Sequence, residues 1–153
     1  MKRAFTLIVL IFLLIAMFPM SVFAEPSSKE AESIIYFDDG SYITIEITSI
    51  DTRSTSTRSG KKTYTYHGNN GDIEWKATLS GTFTYNGTTS SCTASRCSVS
   101  ITDTDWYVVS KTASKSGNSA TAELTMGLRY IGITTKKESV SMKLTCDKNG
   151  NLS

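Results

Sequence analysis

Apolar and polar residues alternate along most of this 153-residue chain once its first two dozen residues are passed. In residues 72–87 (DIEWKATLSGTFTYNG), Ile73, Trp75, Ala77, Leu79, Phe83 and Tyr85 share one parity and polar residues take the other, the period-two pattern of a half-buried strand. Gly81 alone interrupts the apolar side. Ile43, Ile45 and Ile47 alternate in the same way with Thr44, Glu46 and Thr48, and Tyr64 and Tyr66 share one face of KKTYTYH. The pattern predicts strands over 33–37, 42–50, 61–67, 72–85, 88–94, 97–102, 106–113, 119–130 and 139–146. Turn residues at Asp39-Gly40, Asn69-Asn70-Gly71, Asn86-Gly87 and 115–118 separate several of them. Short strands at this spacing predict an all-β fold, an antiparallel β-sandwich of immunoglobulin-like general architecture, with an up-and-down barrel as the alternative.

The gap at Gly81 has a local reading. A two-residue type I′ turn at Asn86-Gly87 sets Tyr85 opposite Thr88 and Phe83 opposite Ser90, which brings Gly81 opposite Cys92. A glycine there would make room for an inward-pointing half-cystine. A β-bulge bending a long strand is the competing account.

The first residues carry a different pattern. Lys2 and Arg3 precede an apolar run over 4–18, and Val22-Phe23-Ala24 ends the stretch as a signal-peptidase site. The run is shorter than the roughly 20 residues that span a bilayer. The expectation is a signal peptide over 1–24, cleaved between Ala24 and Glu25, releasing a secreted protein without a membrane span. A polar tether over 25–32, an N-terminal hairpin over 33–50, a Ser/Thr/Arg loop over 51–60 and a core domain over 61–153 follow. Two of the 16 Lys and Arg leave with the leader, so 14 remain against 14 Asp and Glu. A neutral mature chain lacks the field that drives nucleic-acid binding.

Three cysteines, Cys92, Cys97 and Cys146, would meet an oxidising compartment after export. Parity turns all three inward and does not choose a pair. A Cys92–Cys97 bridge closes a small loop; Cys92–Cys146 closes a long one and stabilises by roughly 3–5 kcal/mol in the chain-entropy model, which favours it. Either choice leaves one cysteine over. Zinc ligation is not expected, because neither a second cysteine pair nor a nearby histidine completes four ligands.

WKATLSGTFTYNGTTSSCTAS, WYVVSKTASKSGNSATAEL and KESVSMKLTCDKNGNLS together resemble a family of small uncharacterised exported β-sandwich proteins of Gram-positive bacteria with no known activity. The resemblance runs from about Lys61 to the C-terminus and implies location and fold, without chemistry. Members with only the two outer cysteines match this chain at Cys92 and Cys146. The resemblance thus implies the same bridge and leaves Cys97, a departure from the pattern, unpaired.

Candidate chemistry is sparse. His67 is the single histidine, and the sequence has no G-x-S-x-G elbow through which it would activate a nucleophile. Asp103 and Asp105, like Asp38 and Asp39, fall where turns use Asp for their own backbone. Glu46 and Glu74 read as solvent-facing on separate strands, with nothing to pair them with each other as a glycosidase dyad. No catalytic residue, metal ligand or cofactor is assigned. Adjacent Trp106 and Tyr107 point to opposite faces, so a buried Trp106 leaves Tyr107 outside. Tyr42 likewise sits opposite the isoleucine row. Tyr107 and Tyr42 are therefore the candidate ligand contacts, since exposed aromatics suit stacking on sugars or proteins. The function expected is an exported, non-catalytic module binding a protein, glycan or cell-envelope component. The alternative is a secreted effector such as an antimicrobial, toxin or inhibitor.

Overall fold

The computed structural model describes residues 28–51 and 56–153, with side chains over 33–50 and 56–153; the leader, its Ala24–Glu25 cleavage point and the start of the tether lie outside them. Eight strands form two antiparallel sheets. The first holds β1 (Ser28–Tyr36), β2 (Tyr42–Asp51), β3 (Thr57–His67), β4 (Ile73–Tyr85) and β5 (Ser90–Ile101); the second holds β6 (Trp106–Ser116), β7 (Ser119–Tyr130) and β8 (Ile133–Thr145). Within each sheet, neighbours in space are neighbours in sequence. The β-sandwich expected from the alternation is present. Its connections are up-and-down, however, and no Greek-key crossover of the immunoglobulin kind occurs among the described residues.

The inward parity is the one the pattern marks. Ile43, Ile45 and Ile47 of β2 and Trp75, Ala77, Leu79 and Phe83 of β4 are buried, as are Leu124 and Met126 of β7 and Met142 and Leu144 of β8. Several strand limits differ from expectation because pairing continues past the apolar rows. Residues 28–32 join β1 opposite β2 instead of forming a tether, and Thr57–Gly60 extend β3 opposite 81–84. The strands expected at 88–94 and 97–102 are one strand, β5.

Gly81 is open for a different neighbour than Cys92. The turn between β4 and β5 sits one residue further on than expected, because the Asn86 amide donates to the Thr89 carbonyl around Gly87-Thr88 while the Asn86 side-chain oxygen accepts the amides of Thr88 and Thr89. Tyr85 therefore pairs with Ser90, and Phe83 with Cys92. Thr93 is an extra residue in the ladder, and beyond that bulge Gly81 pairs with Ser95. A Cβ on Gly81 would stand 2.6 Å from the Phe83 ring and 3.2 Å from Cβ of Ala120 in the other sheet. The missing side chain lets an aromatic ring lie across β4 while the sheets close on it.

The expected Cys92–Cys146 disulfide is not formed. Cys92, Cys97 and Cys146 are all buried free thiols. The altered register accounts for this: Cys92 faces Phe83, and its thiol donates to the Ala94 carbonyl across the bulge at 3.3 Å. The Cys146 thiol turns to the Asp147 carbonyl at 3.5 Å. The two backbones are held on either side of the β6–β7 turn, Cys92 N–H by Gly117 and Cys146 N–H by Asn118. Burial raises all three thiol pKa values, which keeps them protonated and weakly nucleophilic.

Candidate functional site

Up-and-down connectivity sorts the loops to two ends. One end carries the β1–β2, β3–β4 and β7–β8 turns and the β5–β6 link; the other carries the β4–β5 and β6–β7 turns and the C-terminus. The candidate site lies at the first, and it is organised by one residue.

Glu74 is the extra residue of a bulge in which Tyr66 pairs with Trp75 and His67 with Ile73. A bulge re-aims side chains, and here it turns Glu74 out of the solvent-facing row to which simple alternation assigns it. Its backbone carbonyl accepts the amides of Thr102 and Asp103 at 2.8 and 3.0 Å, and its carboxylate accepts the Trp106 indole N–H at 2.6 Å. The first residue of β6 is thus tied to the first sheet. Gly68 leaves the space: a Cβ there would be 2.3 Å from the Glu74 carboxylate. Burial pushes the Glu74 pKa up, the Trp106 hydrogen bond opposes it, and the Asp103 charge reinforces it.

Behind the carboxylate, Tyr66 stacks parallel on Trp75 with centroids 5.0 Å apart, and Trp106 meets both rings edge-on at 5.2 and 6.1 Å. The Tyr66 hydroxyl accepts a hydrogen bond from Lys136 at 2.7 Å. Lys136 also pairs with Asp39 at 2.5 Å and Glu138 at 3.0 Å, joining β8 to the β1–β2 turn. Burial works against the Lys136 charge, but the bonds to Asp39, Tyr66 and Glu138 outweigh it and raise the pKa above the ordinary lysine range. The bond from Lys136, with those from the Ser41 hydroxyl and amide, holds Asp39 well below the usual carboxylate range. Tyr66, Glu74, Trp106, Leu128 and Lys136 line a shallow cleft of about 190 Å³ with Asp39 at its rim. Its charges are matched to one another, which makes it a rigid brace.

Beside the brace, the β7–β8 hairpin ends in a bare apolar tip. Tyr130, Ile131 and Ile133 are 68%, 82% and 70% exposed. Ile131 and Gly132 form a two-residue turn with φ of +49° and +77°. Such a turn favours Asn-Gly, and a β-branched residue at positive φ is an outlier. Ile34, Ile35, Tyr36, Ile73 and Ile101 are also exposed in this half of the sandwich. Among the described residues, Ile50 is the one large exposed apolar side chain toward the other end.

The residues singled out from sequence are not gathered here. Tyr107 faces outward as its parity predicts, but its ring lies over Gly127, where a Cβ would be 2.6 Å away, and the Arg129 guanidinium is 4.0 Å from its centroid. Its hydroxyl is 2.6 Å from that of Thr134, and this bond, with Arg129, lowers its pKa. Tyr107 braces the base of the hairpin. Tyr42 is also on the outer face, stacked on His67 at 4.4 Å and tilted against Tyr36 at 5.8 Å. The His67 ring nitrogens lie 3.1 Å from the Gly71 carbonyl and 3.4 Å from the Thr44 hydroxyl. Asp103 accepts the Asp105 amide in a turn, and Asp39 does the same for Ser41. Cys92 and Cys146 are at the far end. Among the described residues no three His, Cys, Asp or Glu side chains come together as a metal site.

No family model, curated protein or solved structure matches this chain. The site is therefore read from its geometry alone. Simple alternation misses the Glu74–Trp106 link, because a bulge breaks parity. The tip had a signal in Tyr-Ile-Gly-Ile, four residues without a polar turn former where a hairpin reverses.

Proposed function

We propose that this chain is an exported, non-catalytic β-sandwich module that binds a protein, glycan or cell-envelope surface through the end bearing the β7–β8 hairpin. The observation that carries this reading is the Tyr130-Ile131-Ile133 tip, an apolar surface held in water on a strained turn. Apolar side chains gathered on one part of a surface mark interaction sites more than isolated ones do. The brace beneath supports the role, since a contact on a rigid base loses less conformational freedom on binding. The test is fractionation of cultures making the wild type or the triple variant Tyr130→Ser, Ile131→Asn, Ile133→Thr. Wild type is expected with the envelope and the variant in the medium, with at least a tenfold change in the ratio. Identical distributions would contradict the reading.

A protruding apolar tip also favours a second reading, a secreted effector such as an antimicrobial, toxin or inhibitor that engages the surface of another cell. Growth inhibition by the purified protein, lost in the same triple variant, would select it.

A further inference from the structure

We propose that the β7–β8 fingertip inserts into a lipid surface, with anionic headgroups as the preferred partner; this deepens the binding reading above and rests on it. The tip is convex. Tyr130 and Ile133 pair across a turn of only Ile131 and Gly132, so three large side chains project from the narrowest part of a hairpin. That shape enters a bilayer readily, whereas flat protein contacts use broader patches. The hairpin's charges fit the same target. Between Glu123 and Glu138 the chain carries Arg129, Lys136 and Lys137 and no acidic residue. Lys136 is committed to Asp39 and Glu138 and Arg129 lies over the Tyr107 ring, which leaves Lys137, together with the Arg129 charge, behind the tip to meet headgroup phosphates. The neighbouring turns and link contribute Asp38, Asp39, Asp72, Asp103 and Asp105, so the cationic set belongs to the hairpin and the rest of this end is acidic. A tyrosine beside two isoleucines matches the interfacial layering of membranes, where aromatic rings sit at headgroup depth and aliphatic chains go deeper.

Ile131 adds an independent argument. Asparagine would relax the turn, yet the position holds an isoleucine that the fold leaves 82% exposed. Strain retained at an exposed tip points to a use outside the fold.

The experiment is flotation of the protein recovered from culture medium with vesicles of phosphatidylglycerol and phosphatidylcholine in equal parts, and with phosphatidylcholine alone. Wild type is expected to float with the mixed vesicles. Ile131→Asn should lower the bound-to-free ratio at least tenfold while raising the melting temperature, so that loss of binding cannot be loss of fold. Lys137→Ala should weaken binding to the mixed vesicles severalfold and leave phosphatidylcholine binding unchanged. Ile50→Asn, at the far end, should bind as wild type. Absence of wild-type flotation, or equal flotation of wild type and Ile131→Asn, would overturn the lipid assignment. If vesicles fail but envelope association still depends on the tip, the partner is a protein or glycan and the module reading stands. If neither depends on the tip, both readings fall.

Discussion

The two ends of this sandwich solve the same problem of closing eight strands by opposite means. At the C-terminal end the closure is mostly polar. Asp147 accepts the amides of Asn149 and Asn151 and the Asn151 side chain, Thr145 and Ser153 bond to each other, and the Gly87 amide donates to Lys148. Leu152 folds back over Gly60, where a Cβ would stand 2.2 Å away. These bonds lower the Asp147 pKa, those from Asn151 most. At the hairpin end the closure is aromatic and long-range, built on Glu74, Trp106, Tyr66 and Lys136, and apolar side chains are left over outside it. Among the described residues the first end is closed by the chain's own contacts, and the second offers apolar surface beyond what the fold consumes. That difference is why we place binding there.

The sharpest way to break the comparison is to remove its keystone. Trp106→Ala should cost about 3–5 kcal/mol, as aromatic truncation in a core does, measured by chemical denaturation. Trp106→Phe should keep most packing and cost about 1–3 kcal/mol, the penalty for leaving an acceptor without its donor. A Trp106→Phe variant as stable as the wild type would show that the bond to Glu74 carries nothing. Next in size is Gly81→Ala, expected to lose about 1–3 kcal/mol through overpacking against Phe83; Phe83→Leu in the same chain should recover part of it.

A smaller effect is pH dependence at the brace. Because the Glu74 pKa is raised in the fold, the folded state holds its proton more firmly than the unfolded one. Stability should therefore fall as pH rises from about 4.5, the ordinary glutamate value, through the raised folded value. Glu74→Gln should flatten that decline in melting temperature. Asp39 acts oppositely: its depressed pKa stabilises above the ordinary carboxylate range, and the contribution fades as pH drops below it. Asp39→Asn should remove that acid-side loss. At the tip, Ile131→Asn should stabilise by about 1 kcal/mol, the relief of a left-handed β-branched residue. Smallest of all, dithiothreitol should leave the melting temperature unchanged, because no disulfide joins the three buried thiols.

Much of the sandwich was legible in the sequence because alternation is a local property. The rows Ile43-Ile45-Ile47 and Trp75-Ala77-Leu79 turn inward wherever their strands pair. Strand order was not legible, since the choice between a Greek key and a meander depends on which distant edges meet. The cysteine pairing failed for a related reason. The turn moved one residue along to Gly87-Thr88, Thr93 bulged, and the partner of Gly81 changed from Cys92 to Ser95. Asn86-Gly87, the strongest hairpin signal in the chain, forms no two-residue turn, whereas Ile131-Gly132 does. Turn propensity describes the least strained solution, and Ile131 departs from it, as the proposed outside contact would require. Glu74 escaped for the same reason as Thr93: a bulge changes which way a residue faces without changing the surrounding pattern.

The most direct test of the central claim is amide hydrogen exchange on the protein with and without isolated cell envelopes. Added protection confined to residues 129–134, with 146–152 unchanged, is the predicted result. Protection at the C-terminal end, or none at the hairpin in protein that has demonstrably bound, would contradict it.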